Sequence, residues 1–327
     1  MKLVILQRAG FFRTIYAVSI PANLVERIER VHGVAGRTWL RTLPALLAEC
    51  STRWSLELEE PFANLSYNLV VPGKAACIPT GVGARTEIVL KLGVPCAELR
   101  TEAQALELIQ GSGAVILLDL DMRRGAMLLE RVIPGTPLYL FQNQDAAGMT
   151  RTAAAVMRRL WRTPPPSHSL PSLTVWFRAF ARLRGIYAGG SGPFPARIID
   201  TAERMFAELN ASAETEVVLH GDLHHDNILF GADRGWLAID PKGLVGDPGY
   251  EVGSFMLNQL PRGATETQTM QVLTRRLAIF SEELGIARER LARWAFCHAV
   301  LSAVWDLEEA ADWRVTIRLA EMLERLG

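Results

Sequence analysis

The chain has 327 residues, 49% of them hydrophobic, which is enough to build one large domain or two lobes and too apolar for a disordered protein. The 35 Lys and Arg residues balance 35 Asp and Glu, so charge singles out neither a nucleic acid nor a membrane surface as partner. Cys50, Cys77, Cys96 and Cys297 form no Cys-x-x-Cys pair, which points to reduced, buried thiols in a cytoplasmic protein rather than zinc or disulfides.

The first six residues, Met1-Lys-Leu-Val-Ile-Leu, are a short apolar run cut off by Arg8 and Arg13. It reads as no signal peptide, and no later apolar stretch is long enough to span a bilayer. From about residue 22 to 52, Leu24, Ile28 and Val31 and then Trp39, Leu40, Leu43, Leu46 and Leu47 recur at helical spacing, with Gly33 and Gly36 separating two helices. Strands are expected over Trp54–Glu60, Leu65–Val71 and Ile88–Leu92, with Gly73 to Thr86, including Pro79, read mainly as a loop. A helix follows over Glu98–Ile109, its stripe being Leu99, Ala103, Leu106 and Ile109, and then strands over Ala114–Leu118 and Ala126–Val132. A mainly antiparallel sheet with one helix packed on it is the simplest assembly of these pieces.

Pro134-Gly135 then breaks the chain, and helices are expected over 143–162, 173–187, 195–210, 249–260, 265–284, 288–310 and 312–326. Thr163-Pro-Pro-Pro-Ser is a stiff connector, and short strands fall near 216–219, 227–230 and 235–240. The predicted class is α+β: an N-terminal lobe of residues 1–132, helical over 20–52 and sheet-rich over 53–132, and a larger helical lobe of residues 133–327. Clefts between lobes are common ligand sites.

The chemistry concentrates in His220-Gly-Asp-Leu-His-His-Asp-Asn227 and Ala238-Ile-Asp240-Pro-Lys-Gly243. Phosphoryl transfer to an alcohol needs a carboxylate to take the hydroxyl proton, oxygen ligands for magnesium, and a cation facing the phosphates. Asp222 is the candidate base, and Asn227, five residues on, matches the spacing of kinase catalytic loops. Asp240 ends the strand that begins near Trp236. Asn227 and Asp240 flank a predicted hairpin, so its closure brings both to one end, where they can share a metal. The competing reading is a turn rich in Asp and Asn caps. Lys91, in Ile88-Val-Leu-Lys-Leu92, is the candidate phosphate lysine and Glu102 its ion partner, with Glu98 and Glu107 as rivals on the same helix. No Gly-x-Gly-x-x-Gly lies between the first two predicted sheet strands, and Gly81-Val-Gly83 falls where a hairpin turn is expected.

These two segments, extended to Ile239-Asp-Pro-Lys-Gly-Leu-Val-Gly-Asp-Pro-Gly-Tyr-Glu251, resemble the aminoglycoside phosphotransferases, and within them the branch of streptomycin 6-phosphotransferases and hydroxyurea-resistance kinases. Weaker matches are Gly36-Arg-Thr-Trp-Leu40, Leu43-Pro-Ala-Leu-Leu47, Arg53-Trp-Ser-Leu56, Val89-Leu-Lys91, Leu128-Leu-Glu-Arg131 and Pro134-Gly135. The resemblance spans the chain from about residue 20; the first twenty residues match nothing. It implies a bilobal protein-kinase-like fold, ATP with Mg2+, and phosphorylation of a small-molecule hydroxyl. Residue by residue it implies Asp222 as base, Asn227 and Asp240 as metal ligands, Lys91 and Glu102 as the phosphate pair, and Glu130, Arg131 and Val132 as a hinge meeting adenine through backbone groups. The family also lacks the glycine loop. His225-Asp226 stands where many relatives carry Pro-Gly.

A polycationic acceptor calls for acidic residues, and Asp306 and Glu309 share a helix face with Trp305 and Trp313 nearby. A solvated acidic face explains the same pattern. Glu251 suits a role supporting the catalytic loop. Three other readings compete: a kinase for another metabolite alcohol or amino alcohol, a metal-dependent hydrolase built on His220, Asp222, His224, His225 and Asp226, and a catalytically silent kinase-like binder. His224, His225 and His298 read as packing or loop residues.

Overall fold

The structure, a computed structural model, describes residues 2–9, 12–63, 65–76, 86–141 and 145–327, with backbone alone up to Ser19. Cys77, Pro79 and the Gly81-Val-Gly83 turn lie outside the described residues. The chain divides into two compact units, Met1–Gly111 with Val115–Arg131, and Ser112–Ala114 with Val132–Gly327.

The first unit opens with strands β1 (Lys2–Ala9) and β2 (Phe12–Ser19), an antiparallel pair with Lys2 opposite Ser19. Nothing was expected there, although Thr14, Ile15, Tyr16 and Val18 are strand-favouring residues. Helix α1 (Ala22–Arg53) follows, broken at Gly33, whose φ of 53° and ψ of −123° are not helical. Its buried residues include Leu24, Ile28, Leu43 and Leu47. They share one core with Leu69, Val71, Ile88, Leu90 and Leu92 of the sheet, and burying each such side chain contributes about 1.5–3 kcal/mol.

The sheet contains β3 (Leu56–Leu58), β4 (Leu69–Ala75), β5 (Thr86–Leu92), β6 (Leu117–Asp121) and β7 (Ala126–Glu130), antiparallel throughout in the order β3-β4-β5-β7-β6, with helix α2 (Ala97–Ile109) between β5 and β6 in sequence. Strand β4 starts four residues later than expected and continues through Gly73 to Ala75, part of the expected loop. Ser66, Tyr67 and Asn68 form a bend instead, which Ser66 and Asn68 favour. Strand β6 begins at Leu117 rather than Ala114, because Ala114 bridges Ala238 in the second unit.

The second unit contains β8 (Pro134–Pro137), α3 (Ala146–Leu160), α4 (Leu173–Ile186), α5 (Ala196–Ala211), β9 (Val217–Leu219), β10 (Ile228–Gly231), β11 (Gly235–Ala238), β12 (Leu244–Gly246), α6 (Val252–Leu257), α7 (Glu266–Leu284), α8 (Arg288–Glu308) and α9 (Trp313–Glu324). Pro134-Gly135 does not break the chain into coil. It starts an edge strand pairing with β10, in a three-stranded sheet ordered β11-β10-β8, and edges are where proline is tolerated. The helix expected over 249–260 is shorter, a 3-10 turn at Pro248–Glu251 running into α6. Strand β12, paired with β9, was not anticipated. Helix α8 is buried on nearly every side, from Leu291 through Val304, and packs against α4, α5, α6, α7 and α9 as the central helix of the unit.

Candidate active site

In the first unit, strand alternation puts Lys91 on the sheet face opposite Leu90 and Leu92. The structure pairs it with Glu102 of α2, Nζ to Oε1 at 2.6 Å, with 3% and 7% of the two side chains exposed. Of the three glutamates on that helix, Glu102 is therefore the one that meets the lysine. At the end of β7, the amides of Glu130 and Arg131 donate to the carbonyls of Ile116 and Glu87, and the Arg131 guanidinium binds Glu59 and Glu87. Two of the three expected hinge amides are thus committed inside the sheet; Val132 opens the other unit.

In the second unit, the buried strand β9 delivers the chain into a loop held from several sides. Gly221 has φ of +82°, and a Cβ there would crowd Leu244 at 2.8 Å and Trp176 at 3.3 Å. The Glu251 carboxylate accepts the amides of His220 at 2.8 Å and Gly221 at 2.9 Å. Burial pushes that carboxyl up to about 7, against the pull of those two amides. The His220 carbonyl accepts the amides of Lys242 and Gly243, and its Nε2–H donates to the Ile239 carbonyl at 2.7 Å. That leaves Nδ1 to accept the Asp222 amide at 3.2 Å. Burial pulls His220 down to about 4, which keeps this neutral tautomer.

The same stitching draws the two metal-ligand candidates together. Ile228 faces Ala238 across β10 and β11, and the Ile239 amide extends the ladder to the Asn227 carbonyl at 3.0 Å. Asn227 and Asp240 therefore stand at one end of the hairpin. Asn227 Nδ2 donates to the Asp222 carbonyl at 2.9 Å, which turns its Oδ1 the other way. Asp240 is exposed, with φ of 59°, a left-handed backbone that Asp adopts more readily than most residues. A carboxylate and an amide oxygen are the donors a hard divalent cation prefers.

The histidines do not form a metal cluster. Both ring nitrogens of His220 are spent, and His224 Nδ1 accepts the Asp226 amide at 3.2 Å. His225 is buried and stacked on Phe255, centroids 3.8 Å apart, and burial lowers it to about 3. Among the described residues, no three His, Cys, Asp or Glu side chains are placed to hold a metal. Among the described residues the hydrolase reading finds no ligand set.

Asp306 is half-buried and accepts from Thr316 Oγ1 at 2.8 Å; burial, with Glu309 and Asp312 adding to it, raises its carboxyl. Glu309 lies exposed at the C-terminal cap of α8. Trp305 packs edge-on against Trp176 at 5.0 Å, whereas Trp313 turns to Phe194 at 4.8 Å, so the two tryptophans do not form one wall beside the acidic pair. Three residues around Asp222 were given no part in the site by the sequence: Ser254 carried no signal, Tyr250 stood only within the resemblance segment, and His298 read as packing. Ser254 Oγ donates to Asp222 Oδ1 at 2.7 Å, and behind it stand His298 and Tyr250. Of the cysteines, Cys50 and Cys297 are buried free thiols as expected, while Cys96 is partly exposed.

Residues 74–310 match the family described as aminoglycoside/hydroxyurea antibiotic resistance kinase. A streptomycin 6-kinase of Streptomyces glaucescens is 31% identical over 90% of this chain and 92% of its own length. A hydroxyurea phosphotransferase of Kitasatospora aureofaciens is 32% identical over 92% of this chain and 87% of its own. Among solved structures, aminoglycoside phosphotransferase APH(4)-Ia, in ternary complex with ADP and hygromycin B, superposes with a TM-score of 0.59 at 12% identity, covering 84% of this chain and 97% of that one. Choline kinase LicA of Streptococcus pneumoniae does so with 0.59 at 12% identity, over 87% and 99%. The fold is protein-kinase-like, and the chain belongs to the aminoglycoside/hydroxyurea antibiotic resistance kinase family.

Proposed function

We propose that the chain transfers the γ-phosphate of ATP to a hydroxyl of a small acceptor of the streptomycin type or a related hydroxylated compound. The observation that carries this is the loop and hairpin stitched through His220, in which Asp222, Asn227 and Asp240 converge. Asp222 takes the acceptor proton on Oδ2, the carboxylate oxygen that Ser254 leaves uncommitted. Asn227 Oδ1 and the Asp240 carboxylate hold Mg2+, which when bound neutralises phosphate charge. Lys91, oriented by Glu102, meets the α- and β-phosphates, and adenine is met by Val132 and by the backbone carbonyls of Glu130 and Arg131, whose amides are taken up in the sheet. In this reading residues 1–132 are the nucleotide lobe and residues 133–327 carry base and acceptor, with Asp306 and Glu309 drawing in cationic groups. The protein works in the cytoplasm.

The test is Mg2+-dependent ATP consumption across streptomycin, hydroxyurea, simple sugars, choline and other amino alcohols. Streptomycin or a close analogue should give ADP and phosphorylated acceptor in equal amounts. Turnover confined to an amino alcohol would move the assignment to that class. Full turnover in Asp222→Asn would remove Asp222 as the base.

A further inference from the structure

The Asp222 carboxylate is the end of a hydrogen-bond chain that runs into the core of the second unit. Ser254 Oγ lies 2.7 Å from Asp222 Oδ1 and 3.5 Å from His298 Nε2, and His298 Nδ1 lies 2.9 Å from the Tyr250 hydroxyl. Proton counting fixes its direction. An ionised carboxylate only accepts, so the single hydroxyl proton of Ser254 goes to Asp222. Ser254 Oγ can then only accept from His298, which places a proton on Nε2. A neutral imidazole with Nε2–H accepts at Nδ1, so Tyr250 donates there. Burial lowers His298 to about 4, which keeps the ring neutral near pH 7.

The surroundings hold this arrangement. A Cβ on Gly253 would meet the His298 ring at 2.4 Å, so only glycine lets the imidazole come this close to α6. The Tyr250 ring is caged by Trp176, Phe177 and Trp294, with centroids 5.6–6.2 Å away. On the other side of the carboxylate, His224 Nε2 is 3.9 Å from Oδ2, beyond hydrogen-bond reach.

We propose that Tyr250, His298 and Ser254 are positioning residues that pin Asp222 by Oδ1, so that Oδ2 alone is presented to the acceptor hydroxyl. The proposal rests on Asp222 being the base, and it gives each residue a job that packing alone does not require. Its test compares Ser254→Ala, Ser254→Thr, Tyr250→Phe and Asp222→Asn. Turnover is read both as ATP consumption with streptomycin and as basal ATP hydrolysis, in which water replaces the acceptor.

Ser254→Ala should lower kcat on the order of ten- to a hundredfold, as for loss of a hydrogen bond to a charged group, with KM for ATP unchanged. Ser254→Thr, which keeps the hydroxyl, should recover most of the rate. Tyr250→Phe keeps the ring and frees His298 to adopt either tautomer, so a several-fold loss confined to kcat is expected. An unchanged kcat in Ser254→Ala alongside an inactive Asp222→Asn would overturn the chain while leaving the base in place. Unimpaired Asp222→Asn would instead overturn the base itself.

Discussion

Glu251 is the support whose removal has the most calculable effect. Each of its carboxylate oxygens accepts one buried backbone amide, from His220 at 2.8 Å and from Gly221 at 2.9 Å. Alanine at this position strands both donors, and each stranded buried donor costs about 1–3 kcal/mol, or roughly 2–6 kcal/mol together. That is a large part of the ~5–15 kcal/mol by which domains are stable. Glutamine keeps one acceptor oxygen and turns an NH2 toward the second amide, so it should lose about half as much. Denaturant unfolding gives the stability order wild type, Glu251→Gln, Glu251→Ala. Amide hydrogen exchange at Gly221 gives the local view, with faster exchange in the alanine variant. Wild-type stability together with wild-type Gly221 exchange in Glu251→Ala would refute the claim that this carboxylate holds the loop.

Three further measurements test the rest of the framework. Glu102→Ala takes a 2.6 Å partner from a buried ammonium, and breaking such a pair should cost about 3–5 kcal/mol in urea unfolding; a loss below about 1 kcal/mol, the value of a surface pair, would contradict it. Asp240→Asn keeps the left-handed backbone acceptable and removes only charge, so the Mg2+ midpoint of turnover should rise on the order of tenfold, and an unshifted titration would exclude Asp240 as a ligand. The third is pH. His220 and His298 are held near 4 and His225 near 3, against about 6.5 unfolded, so their contribution is complete above about 6.5 and is lost as pH falls through the folded values. Glu251, near 7 when folded against 4.5 unfolded, acts oppositely: its contribution is complete below 4.5 and fades as pH rises through 7. Between those limits unfolding takes up a net of about two protons, so stability should rise by roughly 2–3 kcal/mol per pH unit at the steepest point. A flat profile between about pH 5 and 6.5 would count against neutral buried histidines.

What could be seen in the sequence follows from how local each signal was. Most of the helices α3 to α9 were legible because their apolar residues repeat at helical spacing, and α8 because its apolar run, buried on nearly every side, is too long for a strand; only the segment after Asp247 is shorter, where Pro248 and Gly249 favour a tight turn. The approach of Asn227 and Asp240 to one end of the hairpin was legible because a hairpin is a local device. Strand β12 was not, since three residues after a Gly carry no usable period. Ser254 and His298 were invisible for a different reason. Their partners lie 32, 44 and 48 residues away, and a lone Ser or His in an apolar helix looks like packing until tertiary structure brings those partners to it. His298 is indeed packed, and it is hydrogen-bonded at both ring nitrogens as well.

Three residues ahead of the main boundary bear on how this protein can be divided. Ser112–Ala114 belong to the second unit although the chain on both sides of them belongs to the first. The Gly113 carbonyl accepts the Ala238 amide at 2.8 Å, and Ala114 bridges Ala238, closing the outer edge of the hairpin that carries Asn227 and Asp240. A gene cut after Arg131 would therefore produce a C-terminal fragment with that edge bare, open to pairing with other chains. Split-reporter designs and isolated-lobe expression should keep Ser112–Ala114 with the C-terminal piece. During synthesis the ribosome releases this patch long before the hairpin it completes.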